Sequence, residues 1–588
     1  MNAAQQRFVL DYFNEEVRSH IVPLMIEYPD LPHPERQIDL PGLHIVEKRQ
    51  KHPAKFALVS VPVRSLTRFV ILPSKNDEHH IILLEDVIRF CLPHIFSFFG
   101  YDTFTSHVIK LTRDAEIDID NDVATSMIQK IEKGLKNRKK GKPVRFIYDK
   151  DIPIPLLTYI MKRLSLSHKD NMIAGGRIHN FKDFILFPEA VFSQKSQRKK
   201  PFTHPLLKNT SSVSKVVLQR DVMLHFPYHS FNSVIDLLRE AAIDPEVQSI
   251  KVTCYRLASR SKIINALTNA VRNGKQVTVV IELRARFDEE ANLVWKQQLE
   301  EAGIRVLIGL PDLKIHAKLC LIRKRSGDKL IHYGFVSTGN LNEKTALAYG
   351  DHCLLTSNKQ IMADVYRIFG YLESPKTREA WLKSCNTLLV SPANMRKSLS
   401  MLINREIKNA RKKKPAAIIL KLNSLSDESL IRKLTEAALA GVEIKMVIRG
   451  ICCMFTENKK FNRPIQAVSI VDEYLEHARV MIFHNDGKEK VFISSADWMV
   501  RNIDHRVEAA CPVLDQQIAD EIRDIIQIQL SDNVKARILN NEQTNQYVNP
   551  RNTKKVRSQI ETYQYLHRKA VPSNRQQSVI DPLPGIQG

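Results

Sequence analysis

Two short stretches hold residues that can move a phosphate. In "DLKIHAKLCLI" (312–322) and "EYLEHARVMIF" (473–483) a histidine is followed two residues later by a cation: His316 by Lys318, His477 by Arg479. Side chains in a strand alternate between faces, so Leu313, Ile315, Ala317, Leu319 and Leu321 share one face. Lys314, His316 and Lys318 share the other. Two ammonium groups beside an imidazole repel unless something anionic lies between them. A neutral imidazole is a nucleophile toward phosphorus, and an imidazolium is a general acid. A cation two residues along can grip the non-bridging oxygens. Two such units facing one phosphorus would supply an in-line displacement, with a nucleophile on one side and a proton donor on the other. A lone histidine on a half-buried strand reads more simply as a satisfied core residue. The second copy is what argues for chemistry.

The elements around the two motifs repeat as well. From about residue 203 the pattern alternates helices with short apolar strands, as an α/β layer requires. "LTNAVRNGKQVTVVIE" (267–282) aligns with "LTEAALAGVEIKMVIR" (434–449), Leu267 on Leu434, an offset of 167. The preceding strands "IKVTCYR" and "AIILKLN" align at the same offset. Each histidine motif leads into a hairpin and a second strand with a polar end, "GFVSTGNLNEKT" or "VFISSADWMVRN". Ser337, Thr338, Gly339 and Asn340 match Ser494, Ser495, Ala496 and Asp497. The distance from histidine to serine is 21 residues in one copy and 17 in the other, which a shorter hairpin absorbs. Backbone N–H groups at such a polar strand end, before a helix, can hold phosphate oxygens.

Composition agrees with an anionic partner. The chain has 588 residues, with 88 Lys and Arg against 64 Asp and Glu, a net charge of +24. That excess favours nucleic acid, an acidic membrane or a phosphate compound, against the blander reading of solubility alone. The eight cysteines include no CxxC pair and read as reduced core thiols in a cytoplasmic protein. The most apolar stretch, "IILLEDVIRFCLPHIFSFFG", carries too many charges for a membrane helix. The basic runs at 136–145, 196–201 and 409–415 read as solvated loops before polyanion guides. There is no GxxxxGK[ST] and no HRD…DFG set, so a phosphotransferase here must stabilise charge with cations around a histidine.

Paired H-x-K motifs resemble the phospholipase D superfamily. That superfamily usually has an aspartate seven residues after the histidine, where this chain has Arg323 and His484. A generic phosphodiesterase of nucleic acid or lipid is therefore disfavoured. "LKIHAKL", "TGNLNEKTA", "ARFDEEAN", "VDEYLEH", "SSADWM", "RNIDHR" and "GGRIHNFKDF" together resemble polyphosphate kinase, the long bacterial type built on duplicated phospholipase D-like domains. The resemblance covers nearly the whole chain. It implies a mixed α+β head domain (1–202, dimerising), then two phospholipase D-like α/β domains (203–385 and 386–570) related by a pseudo-twofold axis. A disordered tail (571–588) is expected from composition.

The resemblance implies reversible transfer of the terminal phosphate of ATP to inorganic polyphosphate, with Mg²⁺. His316 matches the phosphohistidine and His477 the second, ATP-contacting histidine. Tyr349 and Arg449 match ATP contacts. Lys314, Lys318, Asn340, Arg479, Arg501 and Arg506 are the phosphate-binding candidates. Arg256 and Arg286 match positions assigned to the Mg²⁺ site. A guanidinium has no lone pair to give a metal, so they are read as clamps on the phosphates that hold the ion. The partners implied are ATP or ADP and polyphosphate, no specific nucleic acid, a peripheral membrane and further copies of the chain. The family normally begins with a helical domain, and this chain begins where the head would, so that domain is expected to be missing. A non-catalytic polyanion binder is the remaining rival, and such a binder has no need of the histidine pair.

Overall fold

The computed structural model describes residues 1–25, 43–47, 55–63, 65–74, 78–97, 103–113, 143–163, 166, 171–188, 191, 198–255, 261–283, 289–310, 313–375, 377, 379–549 and 554–570. The chain divides into two compact units, Met1–Gln197 and Arg198–Gly588.

The first unit is mixed α and β. Helix Ala3–Tyr12 starts at a reciprocal cap, in which Asn2 accepts the Gln5 N–H and Gln5 accepts the Asn2 N–H. Its buried Val9 joins Phe13, Val17, Ala57, Leu84, Val87 and Ile88 in one core. A four-stranded, a three-stranded and a two-stranded sheet complete the unit. The apolar stretch of 81–100 is no single span. It forms the end of strand His80–Leu83 and two short helices, Leu84–Phe90 and Leu92–Ile95. No helix among the described residues is long and apolar enough to cross a membrane.

The second unit is a duplicated α/β structure. One sheet runs Val222–Phe226, Tyr349–Thr356, Lys329–Ser337, Lys318–Ser326, Val247–Cys254, Gln276–Ile281, Arg305–Ile308. The other runs Arg506–Pro512, Lys490–Ser494, Arg479–Phe483, Ala417–Leu422, Glu443–Ile448, Gln466–Ile470, Ala536–Ile538. Strand Leu389–Ser391 lies antiparallel to Arg506–Pro512, as Val222–Phe226 lies antiparallel to Tyr349–Thr356. Helix caps repeat too: Asn358 accepts the N–H groups of Gln360 and Ile361, and Asp515 those of Gln517 and Ile518. The glycines that end the matched helices, Gly274 and Gly441, both take positive φ, 76° and 96°.

Two expectations need correction. The strand offset is 168 in the first strands, one more than the sequence alignment gave. Val252 pairs with Cys320 and Leu420 with Met481, and Cys320 and Met481 each stand four residues after their histidine. Ladder register, which the alignment could not see, fixes the match. The motif strand is also not continuous. Lys314–Ile315 pairs with Arg506–Val507 in the second half's sheet, and the chain enters its own sheet only at Lys318. Leu475–Glu476 likewise pairs with Tyr349–Gly350 before Arg479 joins its own sheet. Each H-A-[KR] is therefore the step from one half's sheet to the other's. The 571–588 tail, residues 136–142 of the first basic run and residues 196–197 of the second lie outside the described residues. In the 409–415 run, Lys414 forms an exposed ion pair with Asp486, 3.1 Å.

A large apolar core spans both halves. Ile315, Leu319, Leu321, Val336 and Leu354 of the first half cluster with Val480, Ile482, Ile493, Val507 and Cys511 of the second. The turn that joins the halves hangs on Asp364, which is fully buried. One Asp364 oxygen accepts the N–H groups of Asn386, Thr387 and Leu388 at 3.0, 2.7 and 2.9 Å, and Arg367 holds the other. Asp364→Ala strands three backbone donors, of which that of Leu388 is buried. It is expected to cost about 2–4 kcal/mol, read as a lower melting temperature, and Asp364→Asn, which keeps one acceptor, should cost less.

Candidate active site

The backbone sets the two histidines first. The N–H groups of His316 and Ala317 both donate to the Val507 carbonyl, at 2.9 and 2.9 Å. Those of His477 and Ala478 both donate to the Gly350 carbonyl, at 3.1 and 2.7 Å. Each histidine is thus pinned by the opposite half, at the residue just before an acidic one.

Those acids complete the exchange. His316 Nδ1 lies 2.9 Å from Glu508 Oε2, and His477 Nδ1 lies 2.9 Å from both oxygens of Asp351. Each carboxylate is held in turn. Thr338 donates to Asp351 at 2.6 Å, and Asn502 to Glu508 at 2.6 Å, beside a short bond from Ser495. Carboxylates accept, so each ring carries its proton on Nδ1 and turns the Nε2 lone pair outward. Burial, with Lys318 adding to it against the pull of Glu508, lowers His316 to about 3, leaving a neutral imidazole at ordinary pH. Burial also lowers His477, with Asp351 opposing. Burial would raise Asp351 and Glu508, but their histidines and the nearby cations outweigh it and keep both ionised.

The cations follow the same symmetry. Lys318 donates to the His316 carbonyl, and Arg479 to the His477 carbonyl at 2.9 Å. Arg479 also binds Asp497 at 3.0 Å and approaches His477 Nε2 at 3.3 Å. Lys318 is 2% exposed and lies 5.4 Å from the Tyr255 ring, which packs edge-on against His316. Burial, with Arg479 and Arg506 adding to it, drops Lys318 to about 7. The charge of Lys318 is felt by His477 as well as by His316, so both rings share one field.

The corners of the site differ. Beside His316 the crossing strands pair Lys314 with Arg506. Beside His477 the equivalent pair is Leu475 with Tyr349, and the Tyr349 ring centre lies 5.3 Å from that of His477. A second difference lies behind them. Glu282 accepts the Ile315 N–H at 2.8 Å, whereas its match Arg449 donates to the Glu476 carbonyl at 2.5 Å. Opposite charges do the same job of holding the residue before each histidine.

His316, His477, Lys314, Lys318, Tyr349, Arg449, Arg479 and Arg506 therefore come together. Asn340 holds the position that matches Asp497, and its buried Oδ1 has no hydrogen-bond partner among the described residues. Arg501 does not join them: it is exposed on the one-turn helix Val500–Ile503, and no hydrogen bond or ion pair among the described residues ties it to the histidines. Arg256 and Arg286 lie outside the described residues. Sequence reasoning missed Asp351, Glu508 and Tyr255. A signal for the two acids existed, because each stands 13 residues after its matched hydroxyl.

Gly339 shows how tightly Asp351 is seated. A Cβ there would lie 2.1 Å from Asp351 Oδ2, an impossible distance. Gly339→Ala is expected to drive Asp351 off His477, seen in a crystal structure as loss of the 2.9 Å contact while the His316–Glu508 contact persists. Gly350→Ala is the control, since its Cβ would meet nothing closer than Glu476 at 3.5 Å.

Comparison with known proteins agrees with this architecture. Residues 4–187 match the polyphosphate kinase middle domain, 212–378 polyphosphate kinase C-terminal domain 1, and 388–559 C-terminal domain 2. The polyphosphate kinase of Vibrio cholerae is 43% identical over 570 residues, covering 96% of this chain and 81% of that one. That of Escherichia coli K12 is 40% identical over 572 residues, covering 96% and 82%. The crystal structure of polyphosphate kinase from Porphyromonas gingivalis superposes with a TM-score of 0.81 at 34% identity, covering 97% of this chain and 84% of that one. With these relatives spanning nearly its whole length and a duplicated histidine site at its centre, the chain belongs to the polyphosphate kinase family.

Proposed function

We propose that the chain passes the terminal phosphate of ATP to the end of a polyphosphate through a phosphohistidine at His316, and that the transfer runs in either direction. The observation that carries the reading is the inequality of the two corners. A site for a symmetric diester has no use for two cations at one end and an aromatic–aliphatic pair at the other. A nucleoside triphosphate meeting a phosphate chain does. Lys314 and Arg506 suit the chain, while Tyr349 and Leu475 suit the nucleoside, with Arg449 beside them.

In this reading the Nε2 lone pair of His316 forms a bond to the γ-phosphorus as the bond to the β–γ bridging oxygen breaks and ADP leaves. Glu508 holds the Nδ1 proton throughout and offsets the charge that grows on the ring. Lys318 and Arg479 hold the non-bridging oxygens. His477 faces the leaving oxygen. A triphosphate brings negative charge that raises its pKa, and Asp351 stabilises the imidazolium that can then donate. In the second step a terminal oxygen of polyphosphate attacks the same phosphorus, and the N–P electron pair returns to His316.

Mg²⁺ would enter on the phosphates. Asp351 and Glu508 are each engaged with a histidine, and among the described residues no group of three or more His, Cys, Asp or Glu could hold a metal. The ion would neutralise phosphate charge that the lysines and arginines leave over.

The direct test incubates the chain with γ-labelled ATP and Mg²⁺. Acid-labile, base-stable label on protein, absent from His316→Ala, is the expected result, and a lack of label at any protein concentration would end the reading. Lys318 supplies a pH test. It is charged below about 7 in the free chain and loses its charge as pH rises through that value. Thus kcat/KM for ATP should fall on the alkaline side of about pH 7. The kcat profile should hold to higher pH, because bound phosphate raises the lysine pKa, and Lys318→Arg should remove the limb.

A further inference from the structure

The two-residue strand Leu475–Glu476 is too short to fix the register of His477 by its own ladder. We infer that the C-terminal segment Arg557–Ala570 is a strap that positions His477, and that Gln559 is its positioning residue. The inference rests on the catalytic reading of His477.

The strap grips the lead-in to the histidine at three successive places. Arg557 binds Asp472 through two nitrogens, at 2.9 and 2.7 Å, and Glu473 at 2.7 Å. Gln559 accepts the Tyr474 N–H at 2.9 Å and donates to the Tyr474 carbonyl at 2.8 Å. One side-chain amide thus offers the pair of bonds that a neighbouring strand would. The same amide nitrogen donates to Glu476 Oε1 at 2.8 Å, next to His477. The other oxygen of Glu476 is taken by Lys421 and by Gln529, the latter at 3.0 Å. Gln559 is 3% exposed and Glu476 5%, so these bonds do not compete with water.

The strap is itself anchored on the helix Gln516–Leu530 and just beyond it. The Ser558 N–H donates to Asp532 at 2.7 Å, Tyr565 to Asp524 at 2.7 Å, and Lys569 to Glu521 at 3.0 Å. Among the described residues the first half has nothing equivalent. The residue that matches Glu476 is Ile315, which is apolar and packed in the shared core. The strap therefore acts on His477 and Leu475, the nucleoside side, and leaves His316 alone. Holding a reacting group to its place is worth up to about a hundredfold in rate per ångström.

The test uses the full chain and reads the two histidines separately. Gln559→Glu puts a second carboxylate against Glu476 and removes the donor. It is expected to lower kcat for ATP-driven polyphosphate synthesis about tenfold to hundredfold. Labelling of His316 by radiolabelled polyphosphate should stay within about threefold of the parent, since that half is untouched. The exchanged pair, Glu476→Gln with Gln559→Glu, restores a donor and an acceptor and should recover kcat to within about threefold. Asp364→Asn, which loosens a turn outside the strap, should lower the melting temperature without lowering kcat. The inference is overturned if Gln559→Glu leaves kcat unchanged, if the exchanged pair is no better than the product of the single variants, or if kcat in all variants simply tracks melting temperature. A His477→Ala variant that keeps full ATP turnover would instead remove the functional reading, and the strap's purpose with it.

Discussion

Everything in the catalytic unit turns on an exchange of carboxylates between its halves. Each half supplies a histidine and the acid that orients the other half's histidine. The acids are buried and charged, and each has its histidine as a principal partner. Breaking one such pair would leave a buried charge without its partner, which costs about 3–5 kcal/mol. The same strands that deliver the acids also take the histidine N–H groups, and one apolar core runs under both halves. Site geometry and fold stability therefore depend on the same contacts.

Duplication built the frame, and the departures from symmetry give it direction. Lys314 faces Arg506 where Leu475 faces Tyr349. Glu282 and Arg449 hold the residue before each histidine by opposite charges, one through an N–H and one through a carbonyl. Glu476 carries a buried ion pair with Lys421, where the first half has the apolar Ile315. A twofold site with identical ends would bind its substrate either way round. These substitutions remove that degeneracy without disturbing the imidazoles between them.

Much of this was legible in the residues. The paired H-A-[KR] motifs, the matched polar strand ends and the shorter second hairpin all follow from spacing, because local periodicity and turn length are written locally. The two acids were not legible in the same way. Asp351 and Glu508 follow unremarkable strand residues, and their partners lie 126 and 192 residues away in sequence. The break in the motif strand was hidden for a related reason. The alternation of Leu313, Ile315, Ala317 and Leu319 is equally good for one strand or for two short ones in different sheets, and only pairing partners distinguish them. The one-residue error in strand offset has the same origin, since ladder register is a property of two segments and alignment reads one at a time.

The interleaving of the sheets bears on how the chain is made. Lys314 and Ile315 leave the ribosome long before the Arg506–Pro512 strand that will pair with them exists. During that interval the nascent first half has an unpaired strand end and a histidine without its acid. It can collapse around its own strands, but it cannot orient the His316 ring against Glu508. The strand and the acid arrive only with the last fifth of the polypeptide. An incomplete translation product of this chain would therefore leave His316 without its acid, however well its earlier part had folded.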